Sequence, residues 1–349
     1  SDPKGMFPIG PISGKSLFQL FCEQLIARQR RYGVRIPYAV MTSDATHAAT
    51  VAYFQSHGFF GLDADDVWFF CQANMPAVDA NTGVALLAGP GRLAVSPDGH
   101  GGILAAMSKS GVLKKLADRG IETLYYHQVD NPTTPVCDPA FIGWHLVNEA
   151  DVSTKVVAKV SGEERMGVAV SVEGTTRIIE YSDFPPEVAA LTDAAGQLRF
   201  WAGNTAMHVF DRAFLERAAV DEKALPFHIA RKAVPYWTPS QGDVMPSKPN
   251  AIKFERFIFD VLPWAQRALI VEGDRADEFN PVKNRDGSDS PLTAKAALQA
   301  LHRRWVRQAG GAIADDVPIE ISPLAALAAD DLQQRYAGQV ICAPLLLTD

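Results

Sequence analysis

Lys4 stands in the tripeptide Pro3-Lys4-Gly5, between a residue of fixed φ and one free to take turns closed to the others. Pro3 also biases Asp2 toward extended geometry. A lysine on so stiff a loop suits a phosphate, although a surface turn with a solvated lysine is written in the same letters. Gln72, Gly99 and Asp130 fall just after apolar runs that read as strands, in VWFFCQ, SPDGHGG and LYYHQVDN. A glutamine amide sets a donor beside an acceptor, matching the imide N–H and carbonyl of uracil, while a glycine lets backbone approach a flat base. Asp130 is a hard oxygen ligand of the kind that Mg2+ combines with water and phosphate oxygens. Helix or turn capping explains Gln72 and Asp130 as well, and Pro-Asp-Gly is a common turn.

Those positions matter because of the elements around them. KSLFQLFCEQLIARQRRYG places Leu17, Leu20, Phe21 and Leu25 on one helical face, with Gly33 as a stop. IPYAVMT reads as a buried strand, SDATHAATVAYFQSHG as a helix capped by Ser43 or Asp44, and DDVWFFCQ as a second strand. Ile103 to Arg119 reads as a helix ending at Gly120, before the strand IETLYYHQVDN. Such alternation predicts a parallel sheet with helices on both faces, which binds ligands at the carboxyl ends of its strands. From Val152 to Asp183 the runs STKVVAKV, MGVAVSVEG and TTRIIEYSD predict antiparallel strands, and FERFIFDV alternates as a strand does. PYWTPSQGDVMPSKPN and EGDRADEFNPVKNRDGSDSP read as long loops, the second carrying Lys283. A helix over LTAKAALQALHRRWVRQAGG opens a small C-terminal unit, in which IEISPLAALAADDLQQRYAG adds a strand and another helix.

Composition narrows the partners. With 349 residues, 47% hydrophobic and 21% charged, the chain can bury a large core and exceeds one typical domain. A net charge of −7 argues against a nucleic-acid partner, and no window approaches the roughly 18 apolar residues of a membrane span. Cys22, Cys71, Cys137 and Cys342 form no CxxC pair and no disulfide framework, nothing reads as a signal peptide, and a reducing cytoplasm is expected. The eight histidines show no HExxH spacing, so no histidine metal site is expected.

PKG, MTS, PDGHGG, VDNPTTPVCDPAFIGW, IIEYSDFPPE, WAGN, KPNAIKFERFIFDV and NPVKN occur in that order, and through them the chain resembles the UDP-N-acetylhexosamine pyrophosphorylase family nearly end to end. The resemblance implies an α/β, Rossmann-like, GT-A-like nucleotidyltransferase fold, a mixed sheet flanked by helices. Residues 1–290 would form the catalytic domain and 291–349 a small C-terminal α/β unit. The implied reaction joins UTP and N-acetylglucosamine 1-phosphate into UDP-N-acetylglucosamine and pyrophosphate, reversibly and with Mg2+, by in-line attack on the UTP α-phosphorus. No covalent enzyme intermediate is implied. By the same resemblance Lys4 and Lys253 neutralise the triphosphate, Lys283 holds a phosphate in the transition state, and Asp130 binds the metal. Gln72 and Gly99 hold uracil; Gly167, Glu180 and Asn204 face the sugar, and Phe257 and Phe259 wall its N-acetyl pocket.

Two departures bear on these expectations. The family carries a GGxGTRLG loop just ahead of PKG, and this sequence starts after that point. His100 occupies a sugar-facing position where the N-acetylhexosamine enzymes often have asparagine, whereas UDP-glucose and broad UDP-sugar pyrophosphorylases show GHG in a similar loop. Glucose 1-phosphate is therefore the alternative sugar substrate, and a non-catalytic UDP-sugar binder is the alternative of a different class.

Overall fold

Ser16 starts the first helix, α1 (Leu17–Tyr32): its hydroxyl accepts the Gln19 N–H, and Gly33, at φ 64°, turns the chain out of the far end. The computed structural model describes residues 3–221 and 224–349, so Asp2, read above as extended, lies outside the described residues. Strand β1 (Tyr38–Thr42) runs parallel to β2 (Val67–Cys71), with Tyr38 opposite Val67 and Thr42 opposite Cys71. The helix between them, α2 (His47–Ser56), begins later than Ser43 or Asp44, because Ser43 and Thr46 close a hydrogen-bonded turn ahead of it. The helix expected over 103–119 is two, α3 (Ile103–Lys109) and α4 (Val112–Asp118), divided at Gly111 with φ 78°.

The parallel arrangement stops there. Strand β3 (Thr123–Tyr126) joins a six-stranded mixed sheet made with β4 (Val152–Ala158), β5 (Val168–Val172), β6 (Thr175–Ile179), β7 (Ala202–Asp211) and β10 (Ala268–Glu272). The order is β6-β5-β7-β4-β10, and β3 lies antiparallel to the second half of β7. Strands β5 and β6 form the antiparallel hairpin expected of GVAVSVEGTTRII. Strand β4 departs from expectation: it pairs antiparallel with β7 and parallel with β10, not with β5. The ladder of β7 shifts between Asn204 and Met207, where Ala206 takes the left-handed φ of 57°, so this long strand bends between its two partners.

Strands β8 (His228–Lys232) and β9 (Ala251–Glu255) pair antiparallel beside the sheet. FERFIFDV is not one strand: β9 ends at Glu255 and the chain winds into a 3-10 helix from Ile258 to Trp264, burying Ile258, Phe259, Val261 and Leu262. These join Trp68, Phe70, Leu104, Phe210 and Phe214 in the largest core. A second core joins Phe18, Phe21 and Leu25 of α1 to Val40, Phe54 and the first turns of α6 (Pro291–Gln308), through Ala294 and Leu298. The last turns of α6 supply Val306 to a third core, built with Ile313, Ile319, Ile321, Leu332 and Leu347. One helix thus ties the C-terminal unit to the rest. Glu320 adds a polar latch, accepting the Ile12 and Ser13 N–H groups at 2.6 and 2.7 Å.

Strands β1 and β3 do not pair with each other. Their free edges, all residues of both strands, line an apolar cavity of about 960 Å3, with Phe18, Leu25, Trp68, Phe70 and Leu104 among its walls.

Candidate active site

Lys4, Asp130 and the backbone ahead of Lys283 meet although the sequence holds them far apart. Lys4 Nζ lies 3.4 Å from Asp130 Oδ2 and 3.4 Å from the Val282 carbonyl. The Val282 N–H in turn donates to the Asp130 carbonyl at 2.8 Å. Two asparagine-proline turns make this junction rigid. Asn131 Nδ2 donates to the Glu278 carbonyl at 2.6 Å and its Oδ1 accepts the Asn280 N–H at 3.0 Å, while Asn280 Nδ2 donates to Thr133 Oγ1 at 3.0 Å. NPTT and NPVK are therefore stitched together, and Lys283 projects exposed from the seam with Nζ 5.3 Å from the centre of the Phe279 ring.

Lys4 opens a 3-10 turn, Lys4–Met6, and its side chain is 57% exposed. Gly5 is needed there for space, not for a left-handed φ: a Cβ would stand 2.2 Å from Phe18 Cζ. Backbone and ring so close hold Lys4 over Asp130. An ion pair this exposed adds little stability, so the ammonium remains available to an anion. Among the described residues no three His, Cys, Asp or Glu side chains gather as metal ligands. A lone carboxylate such as Asp130 fits a magnesium ion that draws its other oxygens from water and phosphate.

The segments that carry Gln72 and Gly99 run side by side. Gln72 follows β2, its N–H donating to the Thr42 carbonyl, and the neighbouring Ala73 carbonyl accepts the Asp98 N–H at 3.1 Å. Gly99 has φ 84°, and a Cβ there would lie 2.5 Å from the Arg256 carbonyl oxygen. Only glycine satisfies both the angle and the approach. Lys253 stands two residues before Glu255 on β9, opposite Ala230. Among the described residues no hydrogen bond or ion pair joins it to Lys4, Asp130 or Lys283.

Gly167, Glu180 and Asn204 form a third group at the end of β5 and β6. The Asn204 N–H donates to the Gly167 carbonyl at 2.8 Å, and a Cβ on Gly167 would stand 2.9 Å from Glu180 Oε1. Burial and the nearby Asp183 push the Glu180 carboxyl up, against the pull of His228 and Lys283. Asn204 Oδ1 accepts the Ala206 N–H at 3.0 Å, which fixes the amide at the bend of β7.

The aromatic wall divides. Phe259 is 3% exposed and belongs to the core, so it backs the pocket rather than lining it. Phe257 is half-buried, 5.2 Å from Phe259 and stacked at 5.2 Å on the His100 ring. His100 Nδ1 accepts the Ile258 N–H at 3.2 Å, and burial, with His228 adding a smaller effect, lowers its pKa to about 4. The ring is therefore neutral near pH 7. Spacing gave no hint of His228, which lies on β8 with its ring 4.4 Å from Phe257 and Nε2 2.8 Å from Asp260 Oδ2. A lone histidine in LPFHIARK carries no signal without the fold.

Comparisons with known proteins identify the family. A sequence model of the UTP–glucose-1-phosphate uridylyltransferase family matches residues 1–325. A Mus musculus protein, UDP-N-acetylhexosamine pyrophosphorylase-like protein 1, is 36% identical over 99% of this chain and 74% of its own length. The UDP-N-acetylglucosamine pyrophosphorylase of Saccharomyces cerevisiae is 37% identical over 97% of this chain and 73% of its own. The crystal structure of the uridine diphosphate N-acetylglucosamine pyrophosphorylase of Trypanosoma brucei, solved with an inhibitor, superposes with a TM-score of 0.83 at 30% identity, covering 96% of this chain and 72% of that one. Matching that model over nearly all its length, and relatives at this identity over nearly all of it, the chain belongs to the UTP–glucose-1-phosphate uridylyltransferase family.

Proposed function

We propose that this site joins UTP and N-acetylglucosamine 1-phosphate into UDP-N-acetylglucosamine and pyrophosphate, and runs the reverse reaction with the same groups. The chain is a UTP:sugar-1-phosphate uridylyltransferase. The observation that carries the fuller reading is the meeting of Lys4, Asp130 and the Lys283 segment, within 3.4 Å contacts, on one rigid seam. The sugar phosphate reaches the site already ionised, so attack on the α-phosphorus needs no general base. It needs cations, because two polyanions must approach in line while charge builds on departing pyrophosphate.

Lys4 supplies one cation to the triphosphate and Lys283 another to the phosphate that changes partners. Lys253, on the separate strand β9, is the proposed contact for the remaining phosphates. Magnesium is the proposed cofactor: Asp130 would hold it, and the ion supplies further neutralisation of phosphate charge. Gln72 and Gly99 read uracil by amide pairing and close backbone approach, while Gly167, Glu180 and Asn204 face the sugar. His100 and Phe257, stacked at 5.2 Å, favour a sugar with a flat acetamido group against the ring. The same histidine keeps glucose 1-phosphate as the second reading. No helix of the described residues is long and apolar enough to cross a membrane, and the cytoplasm is the proposed compartment.

Pyrophosphate release from UTP, measured with N-acetylglucosamine 1-phosphate and with glucose 1-phosphate, tests the reading. The expected kcat/KM is higher for the amino sugar. A preference for glucose 1-phosphate overturns the sugar assignment, and no release with either overturns the reaction.

A further inference from the structure

His228 and Asp260 form a dyad that the reaction chemistry leaves without a task. The nucleophile needs no base, yet His228 Nε2 is held 2.8 Å from Asp260 Oδ2, and its ring lies 4.4 Å from Phe257. Asp260 is largely covered, its side chain 14% exposed, while His228 is 30% exposed. In the tautomer that donates from Nε2 to the carboxylate, Nδ1 is a hydrogen-bond acceptor. Among the described residues nothing in hydrogen-bond range uses it: the carboxylate oxygen of Asp183 is 3.9 Å away. Glu180 and His100 are the other ionisable neighbours whose charge His228 influences. His228 thus neighbours both sugar-facing candidates: its ring is 4.4 Å from Phe257, and it acts against the upward shift of the Glu180 carboxyl.

We propose that His228 is a sugar-contacting residue, oriented by Asp260, whose Nδ1 accepts a hydrogen bond from an amide N–H or hydroxyl of the bound hexosamine. The inference rests on the reading that Glu180 and Phe257 face the sugar. It gives the dyad a specificity role: Phe257 supplies the apolar wall and His228 the polar contact beside it. It also accounts for a histidine on β8 being tied to the 3-10 helix that follows β9, since that tie sets the distance between wall and acceptor.

Two substitutions separate contact from mere bracing. Gln at 228 places its amide near Nε2 and keeps the bond to Asp260 while removing Nδ1; Asn places its oxygen near Nδ1 and gives up the bond to Asp260. His228→Gln is expected to weaken UDP-N-acetylglucosamine binding by titration calorimetry about tenfold, the loss of one hydrogen bond. KM for the sugar phosphate should rise similarly, with UDP binding, KM for UTP and the melting temperature unchanged. His228→Asn should retain more sugar affinity than His228→Gln. If His228→Gln binds and turns over like the unaltered protein, the proposal is overturned, and His228 only braces the segment. If the unaltered protein neither binds UDP-N-acetylglucosamine nor releases pyrophosphate with any sugar phosphate, the reading of the site beneath it fails instead.

Discussion

Acid should unfold this protein well above the pH at which its carboxylates titrate; burial also lowers His145, and the four most strongly shifted histidines set the size of the effect. Burial lowers His100 and His127 to pKa values of about 4, and His208 and His302 to about 3. An unfolded histidine titrates near 6.5. Because the folded values lie below the unfolded one, the unfolded chain binds more protons as pH falls below about 6.5, and stability declines with each proton gained. One pKa unit is worth about 1.4 kcal/mol, so each ring costs roughly 1.8 kcal/mol between pH 7 and pH 5, and four cost about 7 kcal/mol. That is comparable to the whole stability of a typical domain, about 5–15 kcal/mol. Burial also raises Asp98, Glu180, Asp260 and Glu278, which act in the opposite sense as pH falls, so the net loss is smaller than the histidine sum. Urea titrations followed by circular dichroism at pH 7, 6 and 5 measure it. His208→Phe supplies the control, because the ring already packs 5.5 Å from Phe210 and 5.7 Å from Tyr126 while its Nε2 has no partner. That variant should lose roughly 1.8 kcal/mol of the pH dependence, and it should cost about 1–3 kcal/mol at every pH, because the buried Thr154 hydroxyl gives up its 3.0 Å bond to His208 Nδ1. A stability unchanged from pH 7 to pH 5, or an unchanged slope in the variant, would refute the reasoning.

The remaining predictions concern the site and its support. Lys283→Ala should lower kcat by about 100-fold or more with a small change in nucleotide affinity, whereas Gln72→Ala should weaken UTP binding about tenfold and relax the preference for uridine; steady-state kinetics with UTP, and binding of UDP against CDP, decide between them, and equal effects would contradict the assignments. Gly5→Ala drives a Cβ into the Phe18 ring at 2.2 Å, so it should cost about 1–3 kcal/mol in urea titration and disturb Lys4, although Gly5 has no left-handed φ. Ala39 lines the cavity between β1 and β3 and also packs against the largest core, so Ala39→Leu should raise stability by about 0.5–2 kcal/mol only where its added methyl groups enter the cavity; a fall in urea titration would mean that they press on the core instead.

How far the letters alone carried the fold depended on whether a signal was local. Ser16 and Gly33 delimit α1 as their side-chain chemistry requires, and Ser290 with Thr293 forms a capping box at the head of α6. The β5–β6 hairpin follows from alternation around Glu173-Gly174. The break at Gly111 was hidden because a glycine inside an apolar-periodic stretch is compatible with one helix until its φ is known. The helix Pro139–Val147 carried its own marks, a capping Asp138 and a proline in the first turn, inside a motif read only for its resemblance. The short strands between 74 and 97 were not legible, since two- and three-residue strands leave no periodicity to read.

The site was legible in a different way. Nothing in the spacing of Lys4, Asp130 and Lys283 announces contact, because their encounter is made by the Asn131 and Asn280 turns, whose bonds span about 150 residues of sequence. Sequence pattern encodes which face of an element is apolar; it does not encode which two loops meet above the sheet. Resemblance supplied that pairing for the phosphate end. At the sugar end it omitted His228, whose meaning depends on a carboxylate 32 residues away reaching its Nε2 across two elements. A residue of this kind becomes visible only when its second nitrogen is found without a partner.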